Sequence, residues 1–537
     1  MKLTREALNQ RKNWEEADFI LPEFDIEKVT KETYENPTWI HMGAGNIFRA
    51  FPAMMQQTLL NKGLTNTGII VAEGYDYEII EKVNKPHDNL TLLVTLKSNG
   101  TIEKKVVASI VESLTMDTEN QNDFMRLKEI FRQKTLQMVS LTITEKGYSL
   151  VDGSGAYLVS VSEDFKQGPK VPVSYIGKLA ALCYERFING AYPVALVSMD
   201  NCSHNGTKLY DAVHAFAKIW SESGLVEKEF LTYIENKNKV SFPWSMIDKI
   251  TPRPDESVKE MLLKSGFEDV NTIITTKNTY VAPFVNAEEC EYLVIEDAFP
   301  NGHPPLEKAG VIFTEREIVD KVEKMKVCTC LNPLHTALAI YGCLLSHTAI
   351  YKEMEDVQLK KLVEKVGYEE GLPVVVDPGI INPKSFIDEV LQIRVPNPFM
   401  PDTPQRIATD TSQKLSIRFG ETIKEYQKRS ELEATDLVYI PLVLAGWCRY
   451  LMAIDDNGVA FELSQDPMLA QVTSYVEGII LGQEETIGNK LAPLLSNEKI
   501  FGVDLYKVGL GEKIEAYFKE LTSGTGAIRN TLIKYLG

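Results

Sequence analysis

The chain has 537 residues, 44% hydrophobic and 25% charged, a composition of ordinary globular proteins with room for two or more cores. Its 57 basic and 75 acidic residues give a net charge of −18, which argues against nucleic acid as a partner but leaves space for a small anion held in a local cationic pocket. The charged N-terminus has no apolar leader, the run Tyr439–Cys448 is too short to span a bilayer, and the seven cysteines are sparse and odd in number. Together these predict a cytoplasmic protein with reduced thiols and neither membrane nor nucleic-acid partners.

The first element in chain order with a chemical meaning is Trp39–Ala50, WIHMGAGNIFRA. An apolar strand over 38–42 runs into Gly43 and Gly45, and a helical pattern follows as far as Gly63. A second strand, GIIVAE, ends at Glu73. Strand, glycine turn, helix, strand and terminal acid is the context of a dinucleotide-binding fingerprint, although Phe48 occupies the place of its third small residue. Glycines let the backbone approach a pyrophosphate at the helix N-terminus, and Glu73 suits ribose hydroxyls while repelling a 2′-phosphate, favouring NAD over NADP.

Further strands are predicted over 90–96, 105–111, 136–144 and 193–200, with helices over 119–133 and 174–188 between them. This alternation predicts an α/β, doubly wound, Rossmann-type domain over residues 1–285. Two strand-like pieces, 291–297 and 310–313, follow. From about 315 onward the pattern is helical (315–326, 333–350, 353–366, 384–393, 412–432, 437–453, 467–481 and 511–521), so residues 286–537 are expected to form a mostly α-helical second domain.

Polar clusters end several apolar runs. Thr144, Glu145 and Lys146 follow the 136–144 strand, where ligands gather in doubly wound sheets, but they equally suit a solvated loop. Asn201, in SMDNCSHNG, offers an amide to a carbonyl or hydroxyl, or caps a turn. Asp248 lies among apolar residues and needs a partner. Asn332 and His335 are three apart on one helical face, with Pro333 in the first turn and Lys326 upstream. A buried lysine loses its charge more readily, which suits proton exchange with an alcohol. Arg406, Lys414 and Arg418 lie on a charged run that suits solvent, although the Arg406–Lys414 pair also suits an anionic sugar. Cys328 and Cys330 have no further ligands at zinc spacing, so no metal is expected.

In their order, the glycine turn with Phe-Arg-Ala, LTITEKGY, SMDNCSHNG, FPWSMIDKITP, YLVIEDAF, LNPLH and RIATDTSQK resemble the polyol-specific long-chain dehydrogenases. This family embraces mannitol dehydrogenases, fructuronate reductases (D-mannonate oxidoreductases) and tagaturonate reductases. The resemblance, from about residue 38 to 420, implies a metal-independent NAD(H) enzyme with its active site between the domains. It implies Lys326 as general acid/base, Asn201 and Asn332 as stabilisers of the alkoxide, and His335 as orienter of the substrate. It further implies Asp248, Arg406 and Lys414 as substrate-site residues and Glu323 on the proton path. The cofactor set is Gly43, Gly45, Asn46, Ile47, Phe48, Glu73, Thr144, Glu145 and Lys146.

Three departures stand out. IFRAF replaces FHRAH, Pro333 replaces a glycine, and Lys326 lies six residues before Asn332 where the family has five, which makes Lys324 a rival. The glycine segment and CLNPLH are most like the fructuronate reductases, implying reduction of D-fructuronate to D-mannonate. Mannitol 2-dehydrogenase or tagaturonate reductase activity, and a non-catalytic dinucleotide sensor, are the alternatives.

Overall fold

Six short runs build the central sheet: β1 (Trp39–Met42), β2 (Ile69–Glu73), β3 (Ile110–Thr115), β4 (Met138–Leu141), β5 (Val194–Ser198) and β6 (Val240–Ser241). The computed structural model describes all residues, Met1–Gly537. All pairings are parallel, in the order β3-β2-β1-β4-β5-β6, with Ile40 opposite both Ile70 and Val139. Every residue of β1, β2, β4 and β5 is buried, which is why these strands read as unbroken apolar runs rather than alternating ones. Helices α1 (Asn46–Ala50) and α2 (Pro52–Asn61) follow β1, while α3 (Tyr175–Ile188) and α4 (Asn205–Glu222) flank β5 in sequence. The order reverses between β1 and β4, and there a doubly wound sheet opens a crevice at its carboxyl edge.

The expected strand over 105–111 is interrupted. Ile102–Val107 pairs with Phe19–Ile20 and Thr91–Leu96 in a separate sheet, and β3 begins at Ile110. The break is held by a side chain and a backbone carbonyl of α2: Ala108 N donates to Gln57 Oε1 (2.7 Å) and Ser109 Oγ to Ala53 O (2.6 Å). A third sheet joins β7 (Ser245–Asp248) antiparallel to β8 (Tyr292–Glu296), which runs parallel to β9 (Ile312–Thr314). Because these strands pair within the first unit, that unit comprises Met1–Lys97 and Thr101–Asp320, and the second is Lys321–Gly537 with Ser98–Gly100. The division therefore falls where the helical periodicity starts rather than at 285/286.

The second unit is built around α6 (Asn332–Leu344), α7 (Tyr439–Tyr450) and α8 (Gly511–Leu521), which supply fully buried Leu338, Ile340, Leu442, Leu444 and Phe518. The Tyr341 hydroxyl donates to Leu442 O (2.8 Å), and its ring occupies the space that a Cβ on Gly446 would need. Glu370 caps α7: its oxygens accept Val438 N, Tyr439 N and Ile440 N at 2.5–2.8 Å. Helix α5 (Arg316–Met325) passes into a π-helical turn at Lys326–Cys330, and further π-helical turns lie at Lys365–Gly371, Val390–Arg394 and Ser416–Gly420. Of the helix expected over 467–481 only Leu469–Ser474 forms, since Gly478 and Gly482 take positive φ and Ile480 bridges Gln483. The stretch Arg316–Leu344 is long and apolar enough to span a bilayer, yet 72% of its apolar window is buried within the protein.

Glu353 is wholly buried in the second unit and neither carboxyl oxygen has a hydrogen-bond partner. Burial, with Asp356 nearby, raises its pKa to about 9. The folded state thus holds a proton that the unfolded chain releases near 4.5, so stability falls as pH rises from about 4.5 towards 9. Glu353→Gln should be more stable than wild type at neutral pH, with a gap widening by on the order of 1 kcal/mol per pH unit across that window. Urea melts at pH 5, 7 and 8.5 check this; a constant gap contradicts it.

Candidate functional site

The turn after β1 is shaped by steric necessity. Gly43 has φ +109°, and a Cβ there would lie 2.3 Å from Thr142 O. At Gly45, the N-cap of α1, a Cβ would meet nothing within 4 Å, so the backbone faces open space as a pyrophosphate site requires. Asn46 and Ile47 are partly exposed in the first turn of α1, whereas Phe48 is buried with its ring stacked on His41 at 4.1 Å. The His41 ring nitrogens meet Ser140 Oγ (2.6 Å) and Thr142 Oγ1 (2.9 Å), and burial lowers its pKa to about 3, keeping it neutral. A flat aromatic stack therefore fills the helix–strand contact that a third small residue normally provides, and Phe48 acts through the shape of the turn.

Two residues brace this turn from behind. Glu73 is buried: its carboxylate accepts Ala44 N (2.8 Å), Tyr75 N (2.8 Å) and Asp76 N (3.1 Å). Burial raises its pKa and these three N–H groups oppose the rise. The residue expected at the ribose thus also ties the glycine turn to the end of β2. Arg49 gives no signal in the sequence beyond its place in a motif, yet it too is buried. It donates to Thr91 Oγ1 (3.1 Å), Ala282 O (2.8 Å) and Asn46 Oδ1 (2.8 Å), with no carboxylate among its partners, and burial lowers its pKa to about 10.

Beyond the reversal, β4 leads into exposed Thr144, Glu145 and Lys146, with Glu145 paired to Lys208 of α4. Asn201 is exposed just past β5. It lies between two buried anchors, Asp200 and Asn205; the Asn205 amide donates to Asp200 O (3.0 Å) and Ser245 O (3.0 Å) and accepts Ser245 N (3.0 Å). Asp248 is buried at the end of β7. A cavity of about 650 Å³ elsewhere in this unit, lined by Tyr210, Phe242, Glu296, Phe299 and Arg316 among others, contains none of the predicted site residues.

In the second unit the spacing puzzle resolves. The turn Lys326–Cys330 is π-helical, with Leu331 N donating to Lys326 O (3.1 Å), so it takes up one more residue than an α-turn. Lys326 is 5% exposed there, while Lys324 faces solvent and Glu323 is partly exposed. Asn332 starts α6, and one turn on, His335 Nε2 lies 3.6 Å from Asp402 Oδ2. Asp402 is held by Arg406, the closer ion pair. Lys414 sends its ammonium to Thr409 O (2.5 Å), and Arg418 donates to Thr336 Oγ1. Burial, then the charges of Arg418, Arg406 and Arg394, lower the His335 pKa to about 3, outweighing an Asp402 that is already neutralised and beyond hydrogen-bond reach. Sequence reasoning passes over Asp402 and Arg394 and gives Arg418 no role; its signal is a position one helical turn after Lys414. No three His, Cys, Asp or Glu side chains converge as metal ligands would.

Family models match nearly the whole chain: the Mannitol dehydrogenase Rossmann domain over residues 37–308 and the Mannitol dehydrogenase C-terminal domain over 318–522. A D-mannonate oxidoreductase of Thermotoga maritima is 55% identical over 539 residues, covering 100% of this chain and 99% of that protein. Among solved structures, Pseudomonas fluorescens mannitol 2-dehydrogenase in ternary complex with NAD and D-mannitol superposes with TM-score 0.68 at 24% identity, covering 100% and 99% of the chains. A substrate-free D-sorbitol dehydrogenase gives 0.74 at 24% identity, covering 94% and 98%.

The two glycines should respond differently to alanine. Gly43→Ala forces a positive φ and a backbone clash, and should lower the melting temperature and weaken NADH binding by about tenfold or more. Gly45→Ala should leave the melting temperature near wild type while weakening NADH binding, because its methyl occupies only the open approach. NADH fluorescence titration and thermal melts distinguish them; equal melting losses contradict the assignment.

Proposed function

This chain belongs to the mannitol dehydrogenase family, and on that premise we propose that it interconverts D-fructuronate and D-mannonate with NAD(H). The observation that carries the choice of a sugar acid is the cationic surround of His335 by Arg394, Arg406 and Arg418 in the second unit. A uronate carboxylate accepts charge-assisted hydrogen bonds from such cations, and a neutral sugar offers no comparable group. Arg406 is shared with Asp402, Lys414 with Thr409 O and Arg418 with Thr336 Oγ1, and we assign Arg418 to the acid group beside the other two. Seven cysteines, all free, suit an enzyme of the cytoplasm.

The nicotinamide, when bound, supplies or accepts the hydride. The chain's own residues handle the proton and the oxygen. We assign proton transfer at the carbonyl oxygen to Lys326 through its Nζ, with Glu323 relaying the proton towards water. Asn332 and Asn201 are assigned to hydrogen-bond that oxygen, where charge builds in the transition state. Asn201 is exposed and Asn332 partly exposed, so both amides are open to a ligand. His335, neutral near physiological pH, accepts or donates to a substrate hydroxyl without adding positive charge. Asp248 is assigned to a sugar hydroxyl, and the turn Gly43–Phe48 with Glu73 and Thr144–Lys146 to the dinucleotide.

Turnover of NADH should be at least about a hundredfold more efficient with D-fructuronate than with D-fructose, since loss of a paired buried charge costs a few kcal/mol. Fructose turned over equally well rejects the sugar-acid assignment. Lys326→Ala should lower kcat by about 10²–10⁴-fold with NADH binding retained, while Lys324→Ala stays near wild type. Arg418→Met should raise KM for fructuronate by about tenfold or more with a smaller effect on fructose.

A further inference from the structure

Thr144 stands apart from the other non-glycine residues of positive φ. Most of these sit at φ near +50° to +65°, where Asp, Asn and His are tolerated. Thr144 combines φ +65° with ψ 159°, a region essentially reserved for glycine, on a β-branched residue at the exit of β4. Its Cβ carries a penalty that the surroundings must offset.

The offset is visible. Asp200, at the exit of the neighbouring strand β5, is buried, and its two carboxylate oxygens accept Ile143 N (2.9 Å) and Thr144 N (2.8 Å). The Tyr148 hydroxyl donates to the same carboxylate and meets Ser198 Oγ at 2.7 Å. The two consecutive N–H groups point at one carboxylate only because the backbone at 143–144 is bent into this conformation. The next residue along from Asp200 is Asn201, and the carbonyl of Asp200 is itself fixed by the Asn205 amide. One carboxylate therefore locks both strand exits beside the reversal of strand order.

We infer that Asp200 is a positioning residue for the cofactor: it holds the Thr144–Lys146 exit in a strained, binding-ready conformation and sets Asn201 beside it. This rests on the cofactor reading above. Removing the carboxylate lets Thr144 relax to an ordinary β conformation, and the cofactor must then restore the strained form at its own expense. The penalty belongs to the Cβ of residue 144, so it vanishes when that residue is glycine.

The test is a four-protein cycle of wild type, Asp200→Asn, Thr144→Gly and the double variant, read by NADH fluorescence titration, with thermal melts to verify folding. In Asp200→Asn the dissociation constant should rise by about fivefold or more, the range that backbone strain of this kind supports. In the Thr144→Gly background the same change should cost several-fold less. Equal losses in the two backgrounds, or no loss in Asp200→Asn, overturn the inference. If Asp200→Asn does not fold, the cycle is run with Tyr148→Phe, which strips the side-chain donor from the carboxylate. The same coupling is then expected at smaller amplitude, and its absence is equally decisive. A wild type that fails to bind NADH overturns the cofactor reading itself, whereas a wild type that binds while the losses are equal overturns only the role of Asp200.

Discussion

A backbone N–H buried at the mouth of a turn must find an acceptor, and in this protein a carboxylate from another segment of the chain supplies it at the decisive places. Glu73 takes Ala44 N, Asp200 takes Ile143 N and Thr144 N, and Glu370 takes the amide preceding α7 and the first two within it. Each of these turns has a shape that leaves its N–H groups without backbone partners. The carboxylates are desolvated in the process, and burial pushes the pKa of each upward. What keeps the charged form usable is the set of donors converging on it, which pull in the opposite direction. The interaction is strong only while the geometry persists, so these acids make the turns conditional on the whole fold around them.

This dependence explains what the sequence reveals and what it hides. The parallel sheet is legible because β1, β2, β4 and β5 are buried on both faces and therefore read as unbroken apolar runs. The glycine turn is legible because Gly43 occupies a conformation and a space that no side chain shares. The split of 105–111 into two sheets is hidden, since the acceptors that engage Ala108 and Ser109 come from the helix fifty residues earlier. The role of Glu73 as a brace is hidden for the same reason. Spacing brings it to the end of a strand, but only the fold presents Ala44 N to it.

The helical unit hides its candidate residues differently. Lys326 begins one π-helical turn, Arg394 ends another and Arg418 lies within a third. A π-turn takes in an extra residue, so side chains after it rotate off the face that a 3.6-residue period predicts. Counting from Asn332 consequently puts Lys326 one place away from the family spacing, although it is the buried lysine and Lys324 the solvated one. Periodicity detects the helices, because their apolar stripes are long. It cannot detect a local widening that depends on what packs against the turn.

The same contrast between global and local settles the electrostatics. A net charge of −18 gives the molecule a repulsive far field for any sugar acid. At physiological ionic strength that field decays over about 8 Å, so an anion close to the protein responds mainly to the groups nearest to it. Around His335 those groups are three guanidinium ions, with Asp402 engaged by Arg406. Burial is the main reason the His335 ring stays neutral, and the fourth positive charge that protonation would bring adds to it. Neutrality in turn leaves a ring nitrogen free to accept a hydroxyl proton, a capacity that a protonated imidazole lacks. On the proposed function the cations therefore contribute twice: they would attract a carboxylate, and they add to burial in keeping the imidazole neutral.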